Sequence, residues 1–151
     1  MDPLSYSIAT PCLGLPMLFA GQAQKEVTVN EALVAIDFLL GNGVEGVISA
    51  PPAAPAVGMA WIVGAAATGV FAGHSDDIAG WTEGGWRFIR ASQGMQFYDR
   101  AAAAVRYYMN GWSIISAPNA AVGGGTIDLE ARACIAALIE GLQQIGIISS
   151  T

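Results

Sequence analysis

Between Ile78 and Ile115 one short pattern of apolar and polar positions occurs twice. The first copy reads Ala79-Gly80-Trp81-Thr82-Glu83-Gly84-Gly85-Trp86-Arg87-Phe88-Ile89, and the second Val105-Arg106-Tyr107-Tyr108-Met109-Asn110-Gly111-Trp112-Ser113-Ile114-Ile115. Each sets an aromatic strand, a Gly-Gly or Asn-Gly turn, and a Trp that opens a second strand. Gly and Asn tolerate φ > 0, which tight hairpins demand, so Gly84-Gly85 and Asn110-Gly111 are the expected reversal points. Alternation places Trp86 and Phe88 on one face, as it does Val105, Tyr107 and Met109, and then Trp112 and Ile114. The pattern predicts two β-hairpins in tandem with aromatic residues paired across the strands. Met59–Val63 and Met95–Tyr98 read as further strands, and Gly69–Gly73 as a turn or short strand around Phe71.

Two other stretches have a helical period. Val29, Leu33, Ile36 and Leu40 recur at helix spacing, with Asn30 as a candidate N-cap, Glu31 beside the positive helix start and Gly41-Asn42-Gly43 as the stop. Near the C-terminus a helix is predicted over Ile127–Ile145. Thr126 or Asp128 would cap it, and Glu130 falls in its first turn. Ala131, Ile135, Leu138, Leu142 and Ile145 form a two-heptad seam, widened by Cys134 and Ile139. Two heptads do not hold a coiled coil alone, so this helix must dock on the sheet or bundle with copies of itself. The Gly123-Gly124-Gly125 hinge before it favours a neighbour.

The expected fold is therefore α+β: an N-terminal amphipathic helix, a small antiparallel aromatic-rich β-sheet of tandem hairpins, and a C-terminal helix. Residues 1–21 read as an irregular arm punctuated by Pro3, Pro11, Gly14 and Pro16 and anchored by Leu13, Leu15, Leu18 and Phe19. Residues 22–115 form the helix and hairpin domain, and 116–151 the Gly-linked helix for docking or oligomerisation.

Composition changes this picture in one respect. In 151 residues only 12% are charged and 54% are hydrophobic, a thin polar cover for one monomeric domain. A homo-oligomer fits better than a compact, Ala-rich monomer. The net charge is −6, and the six basic residues (Lys25, Arg87, Arg90, Arg100, Arg106 and Arg132) form no stripe for phosphates or anionic lipid, so neither nucleic acid nor membrane is an expected partner. No charged side chain occurs from Val47 to Ser75, yet Pro51, Pro52, Pro55, Gly58, Gly64 and Gly69 break that run below spanning length. The N-terminus lacks the basic region of a secretion signal. Cys12 and Cys134 read as two small buried hydrophobes in a reducing compartment.

Candidate chemistry is sparse. Gly41-Asn42-Gly43-Val44-Glu45-Gly46 spells G-x-G-x-x-G, but a helix precedes it and Pro51-Pro52 follows, the reverse of a dinucleotide site. His74 beside Asp76 and Asp77 suggests a metal or hydrolytic pair, though a turn with a solvated acidic face explains it better. No catalytic residue, metal site or cofactor is assigned. Trp61, Trp81, Trp86 and Trp112 could stack on sugars, as a carbohydrate-binding module for capsule or cell-wall glycan would, or pack in the sheet core, which is the preferred reading.

A family resemblance adds to this. Leu15-Pro16 with Gly21-Gln22-Ala23-Gln24-Lys25-Glu26-Val27-Thr28-Val29-Asn30-Glu31-Ala32-Leu33 resembles the opening of a virion domain of unknown function, found in tail-fibre and head-spike proteins of phages and gene transfer agents. The order continues through Pro51-Pro52-Ala53-Ala54-Pro55, Trp61-Ile62-Val63-Gly64, Ala67-Thr68-Gly69, Ala72-Gly73-His74, Ile78-Ala79 and Gly85-Trp86-Arg87-Phe88. The tail from Asp128-Leu129-Glu130-Ala131-Arg132 to Gln144-Ile145-Gly146-Ile147-Ile148 is similar to the closing helix of such appendage proteins. Phe71 and Met95 stand where many members carry Trp, which counts against a sugar platform. The resemblance implies a non-enzymatic adaptor, with the base of a gene transfer agent head spike as the nearest role. Its expected partners are capsid or tail proteins, a receptor-binding spike fibre and host surface polysaccharide. It would reside on the virion after assembly in the bacterial cytoplasm. A chain ending soon after the domain is expected to be a short base rather than a whole fibre.

Overall fold

The Gly43–Ile48 segment divides the molecule between two sheets. The computed structural model describes Thr10, Cys12, Met17, Leu18 and residues 25–126 and 128–149. Helix α1 (Lys25–Gly41) ends where Asn42 takes φ 47°, as a left-handed residue after a helix does. The chain then forms β1 (Gly43–Val44) and β2 (Val47–Ile48), each of which joins a different sheet. Strand β2 runs parallel to β3 (Ala60–Val63), which pairs antiparallel with β4 (Ile78–Thr82) and through it with β5 (Gly85–Ile89). Strand β1 runs parallel to β6 (Gln96–Asp99), followed by β7 (Ala104–Tyr108) and β8 (Trp112–Ile114) in the same antiparallel order. Helix α2 (Leu129–Gln144) is the last of these elements.

The architecture is α+β, with the two tandem hairpins where the pattern set them. The hairpins open two separate four-stranded mixed sheets rather than one antiparallel sheet. Each sheet repeats the same plan: a two-residue parallel strand, a middle strand, then a hairpin carrying Trp86 or Trp112 on its last strand. The first reversal is one residue earlier than expected, since Thr82 pairs with Gly85 and leaves Glu83-Gly84 as the turn.

Period-two alternation sorts the first sheet into two cores. Ala60, Ile62 and Ile78 face α1 and meet Val34 and Phe38 there. Val44 and Phe97 of the second sheet complete that cluster, with Trp112 packed against it, so α1 covers the junction of both sheets. On the other face Val63 and Ala79 pack with Phe71, from a 3-10 turn at Gly69–Phe71, and with Trp86 and Phe88. The 64–77 loop thus lids its own sheet. Trp112 Nε1 donates to the Asp76 carbonyl at 2.8 Å and ties the second sheet to this lid.

Helix α1 differs from expectation in both start and facing. Asn30 is not a cap but lies within the helix, 1% exposed. Its Oδ1 accepts from the Leu18 amide and its Nδ2 donates to the Leu18 carbonyl, both at 3.0 Å, so one side chain satisfies a whole backbone unit. Two turns further on, buried Asp37 accepts from the Thr10 hydroxyl at 2.8 Å and the Cys12 amide at 2.7 Å. The inward face is Asn30, Val34, Asp37 and Phe38, while Val29, Ile36 and Leu40 of the anticipated stripe are exposed and Leu33 is half-buried. The remainder of the 1–21 arm, including Leu13, Leu15 and Phe19, and Ile127 as a helix start, lie outside the described residues.

Replacing Asn30 with Ala is expected to cost about 1–3 kcal/mol, because both Leu18 backbone groups lose their partner in a partly buried setting. Asn30→Asp, which keeps only the acceptor, should fall between that variant and wild type in urea denaturation. Equal stability of all three would refute the clamp.

Candidate functional site

No polar constellation dominates the surface; apolar helix faces do. Asp128 caps α2, accepting from the Ala131 amide at 2.8 Å, with Glu130 in the first turn, so local sequence sets its start. The helix is held at both ends. Arg132 donates to the carbonyls of Ala121, at 3.0 Å, and Gly123. After the helix the chain returns to the second sheet, where the Val105 amide donates to the Gly146 carbonyl at 2.6 Å and Ser149 bridges Ser116 in parallel. Ile148 is buried there.

Between these anchors none of the sixteen residues of α2 is buried. Ala131, Ile135, Leu138, Leu142 and Ile145 lie on one side, and Leu138 and Ile145 are 63% and 65% exposed. These residues share one side of the helix, and among the described residues nothing buries them. Beside it, segment 117–121 and α2 enclose a groove of about 610 Å3, floored by Ala117, Ala120, Ala121, Ala133 and Ala136. The outer face of α1, with Val29, Ile36 and Leu40, forms a second exposed apolar surface.

The aromatic residues are drawn into packing. Trp61 is 8% exposed, and Trp81, Trp86 and Trp112 are half-buried. Trp86 meets Trp61, Phe71 and Trp81 edge-on at centroid distances of 5.7, 4.9 and 5.0 Å. Trp112 meets Phe97 at 5.8 Å and Tyr108 at 5.2 Å.

His74 stacks on Phe88 at 3.7 Å, and its Nδ1 lies 2.9 Å from an Asp77 oxygen. The His74 carbonyl also accepts from the Asp77 amide at 3.0 Å, so these residues form a closed turn on the lid. Among the described residues no three His, Cys, Asp or Glu side chains converge as a metal set, and no helix is long and apolar enough to cross a membrane. The G-x-G-x-x-G run sits at the end of α1 and in β1, as its flanking pattern indicated.

A family profile described as a protein of unknown function (DUF2793) matches residues 29–113. The chain belongs to the DUF2793 family. The matched span runs from within α1 to β8 and takes in both sheets, whereas α2 lies beyond it. No curated protein and no solved structure matches the chain.

Both cysteines are exposed, not buried as the sequence suggested. For Cys12 this holds for the residue as a whole. Its thiol donates to the Gly58 carbonyl at 3.3 Å. Desolvation, then the charge and hydrogen bonding of Asp37, push the thiol up from 9.0 to about 12, with Arg100 opposing. The folded form therefore keeps its proton where the unfolded chain gives it up, so this contribution to stability is intact below pH 9 and falls as pH rises toward 12. At pH 8.5 a thiol reagent should modify Cys12 at least about tenfold more slowly in the native DUF2793 protein than in urea, since only thiolate reacts. Equal rates would contradict this environment.

Proposed function

We propose that the protein is a structural subunit of a phage-like particle or gene transfer agent, the base or adaptor of a head spike or tail fibre that supports attachment to the host cell. The observation that carries this reading is α2, a full helix with no buried residue whose apolar seam faces outward. Isolated helices of this length are marginal in water, so α2 depends on partners for much of its stability. The exposed outer face of α1 supports the same reading, since contiguous apolar patches mark interaction surfaces. Edge-on engagement of the tryptophans gives them a packing role consistent with a scaffold.

On this reading the chain assembles as a homo-oligomer, holds capsid or tail proteins on one side and a receptor-binding fibre on the other, and catalyses nothing. The experiment is twofold. Light scattering of the purified protein should give a multiple of the chain mass, and mass spectrometry of purified particles should detect the protein, with spikes or fibres lost on its deletion. A monomer at high concentration together with absence from particles would overturn the proposal.

A further inference from the structure

The whole centre of α2 is apolar. Ala133–Ile139 contains no polar side chain over about two turns, so every side of the helix is apolar there, and none is buried. Helices apolar all round are normally enclosed, and a single seam against one neighbour would leave the other sides in water. The seam is also not the only apolar surface. Ala136 and Ile139, on the groove wall beside the polar Gln143, lie about 120° around the axis from the seam at 100° per residue.

We propose that the α2 seam of one copy enters the groove between α2 and segment 117–121 of a second copy, head to tail, and that repetition of this contact closes a ring. This rests on the assembly reading above and names its contact. Ile135 stands on the edge shared by seam and groove, whereas Leu138, Leu142 and Ile145 do not line the groove, so the greater part of the seam points away from it and a copy cannot fill its own groove. A contact between unlike surfaces is heterologous and generates rings rather than two-fold dimers when the rotation closes.

The surfaces match in size. The seam is built of large side chains (Ile135, Leu138, Leu142 and Ile145), and the groove is floored by alanines that leave about 610 Å3 for them. No charge sits on the seam. Of the two charged residues that line the groove, Arg132 is engaged by the Ala121 and Gly123 carbonyls and Glu140 is exposed, so the docked seam must leave the Glu140 carboxylate in water at the rim. Area favours the ring as well. Each hidden Leu or Ile removes about 60–120 Å2 from water, so four remove about 250–500 Å2. That is below the ~800 Å2 per partner of a stable interface. A seam-to-seam dimer uses this patch once per copy, whereas in a ring every copy gives a seam to one neighbour and a groove to the other.

The test uses the full chain in a Cys12→Ser, Cys134→Ser background. Leu138→Cys and Ala120→Cys variants are purified separately, checked for unchanged far-UV circular dichroism, mixed and oxidised. The expected product is the mixed Leu138–Ala120 disulfide, and a chain carrying both substitutions should give a ladder of covalent multimers. Leu138→Glu should raise the concentration at which the assembly dissociates at least about tenfold. A Leu138–Leu138 disulfide as the main product, or a monomer in every preparation, would overturn groove docking; the attachment reading falls as well only if the protein is also absent from purified particles.

Discussion

Phe38→Ala is expected to lower the stability of the folded chain by about 3–5 kcal/mol, the cost of deleting a large buried aromatic and leaving its cavity. In a chain of this size that should depress the melting temperature by roughly 10 °C. Phe38 is 2% exposed and lies where α1 meets both sheets, within reach of Ile62 and Ile78 from one and Val44 and Phe97 from the other. Its ring rests on Gly80. A Cβ built there would stand 2.5 Å from Phe38 Cζ, closer than any side chain tolerates. The reciprocal substitution, Gly80→Ala, should therefore cost about 1–3 kcal/mol by overpacking. The two effects must couple. In a Phe38→Leu background, where the ring edge is gone, Gly80→Ala should cost much less, and a cycle of single and double variants by urea denaturation measures the difference. Additive costs would mean that the ring does not lie on Gly80.

The hairpins were legible because their signals are local. Alternating aromatics around Glu83-Gly84-Gly85 and Asn110-Gly111 specify a reversal without reference to the rest of the chain, and β4–β5 and β7–β8 follow. The start of α2 was legible for the same reason, since Asp128 meets the Ala131 amide within one turn. The facing of α1 was not. Besides Val29, Leu33, Ile36 and Leu40 it carries Val34, Phe38 and Leu39, so apolar residues occupy nearly every side and spacing alone selects no face. The informative residues were polar. Asp37 stands alone between Ile36 and Phe38 in an apolar run, and such a carboxylate is either strained or bound by a distant segment; here it binds Thr10 and Cys12. The division into two sheets depends on β1 and β2, each two residues long, too short for alternation to register. Their parallel partners lie far along the chain, and only long-range packing selects them. The apolar surface of α2 was legible as a spacing, but whether it would dock on its own sheet could not be read from that spacing.

The repeated plan of the two sheets has unequal consequences for their outer faces. The first sheet has an insertion, residues 64–77, whose Phe71 and His74 cap Trp86 and Phe88. The second has no such lid between β6 and β7, and its outer side meets the returning tail, where Gly146 lies against Tyr98. A side chain at position 146 would overlap the Tyr98 ring, with a Cβ 2.6 Å from Cε2. The tail that follows α2 is thereby seated on the family domain, and α2 projects as an uncovered loop of helix between two fixed points. Such a construction favours a helix that finds its packing in other chains, because the anchors limit the entropy lost when a neighbour docks.

Breaking the Asp99–Arg106 pair should have an effect as large as emptying the Phe38 site. The Asp99 side chain is 1% exposed, Arg106 Nε donates to one of its oxygens at 2.5 Å, and the Ala102 amide donates to the other at 3.0 Å. Arg106→Met keeps most of the aliphatic stem and removes the charge, so Asp99 remains buried with one backbone donor. A buried ion pair that loses one partner typically costs about 3–5 kcal/mol, most of it from the uncompensated charge rather than from the lost attraction. Two alternatives are thus separable. If the pair matters through its charges, the double variant Asp99→Asn, Arg106→Met should recover most of the stability, since the neutral amide can still accept from Ala102. If the guanidinium matters mainly as packing against β6 and β8, the double variant should be no more stable than Arg106→Met alone. Urea denaturation at neutral pH distinguishes them, and recovery of less than about 1 kcal/mol would rule out the electrostatic account.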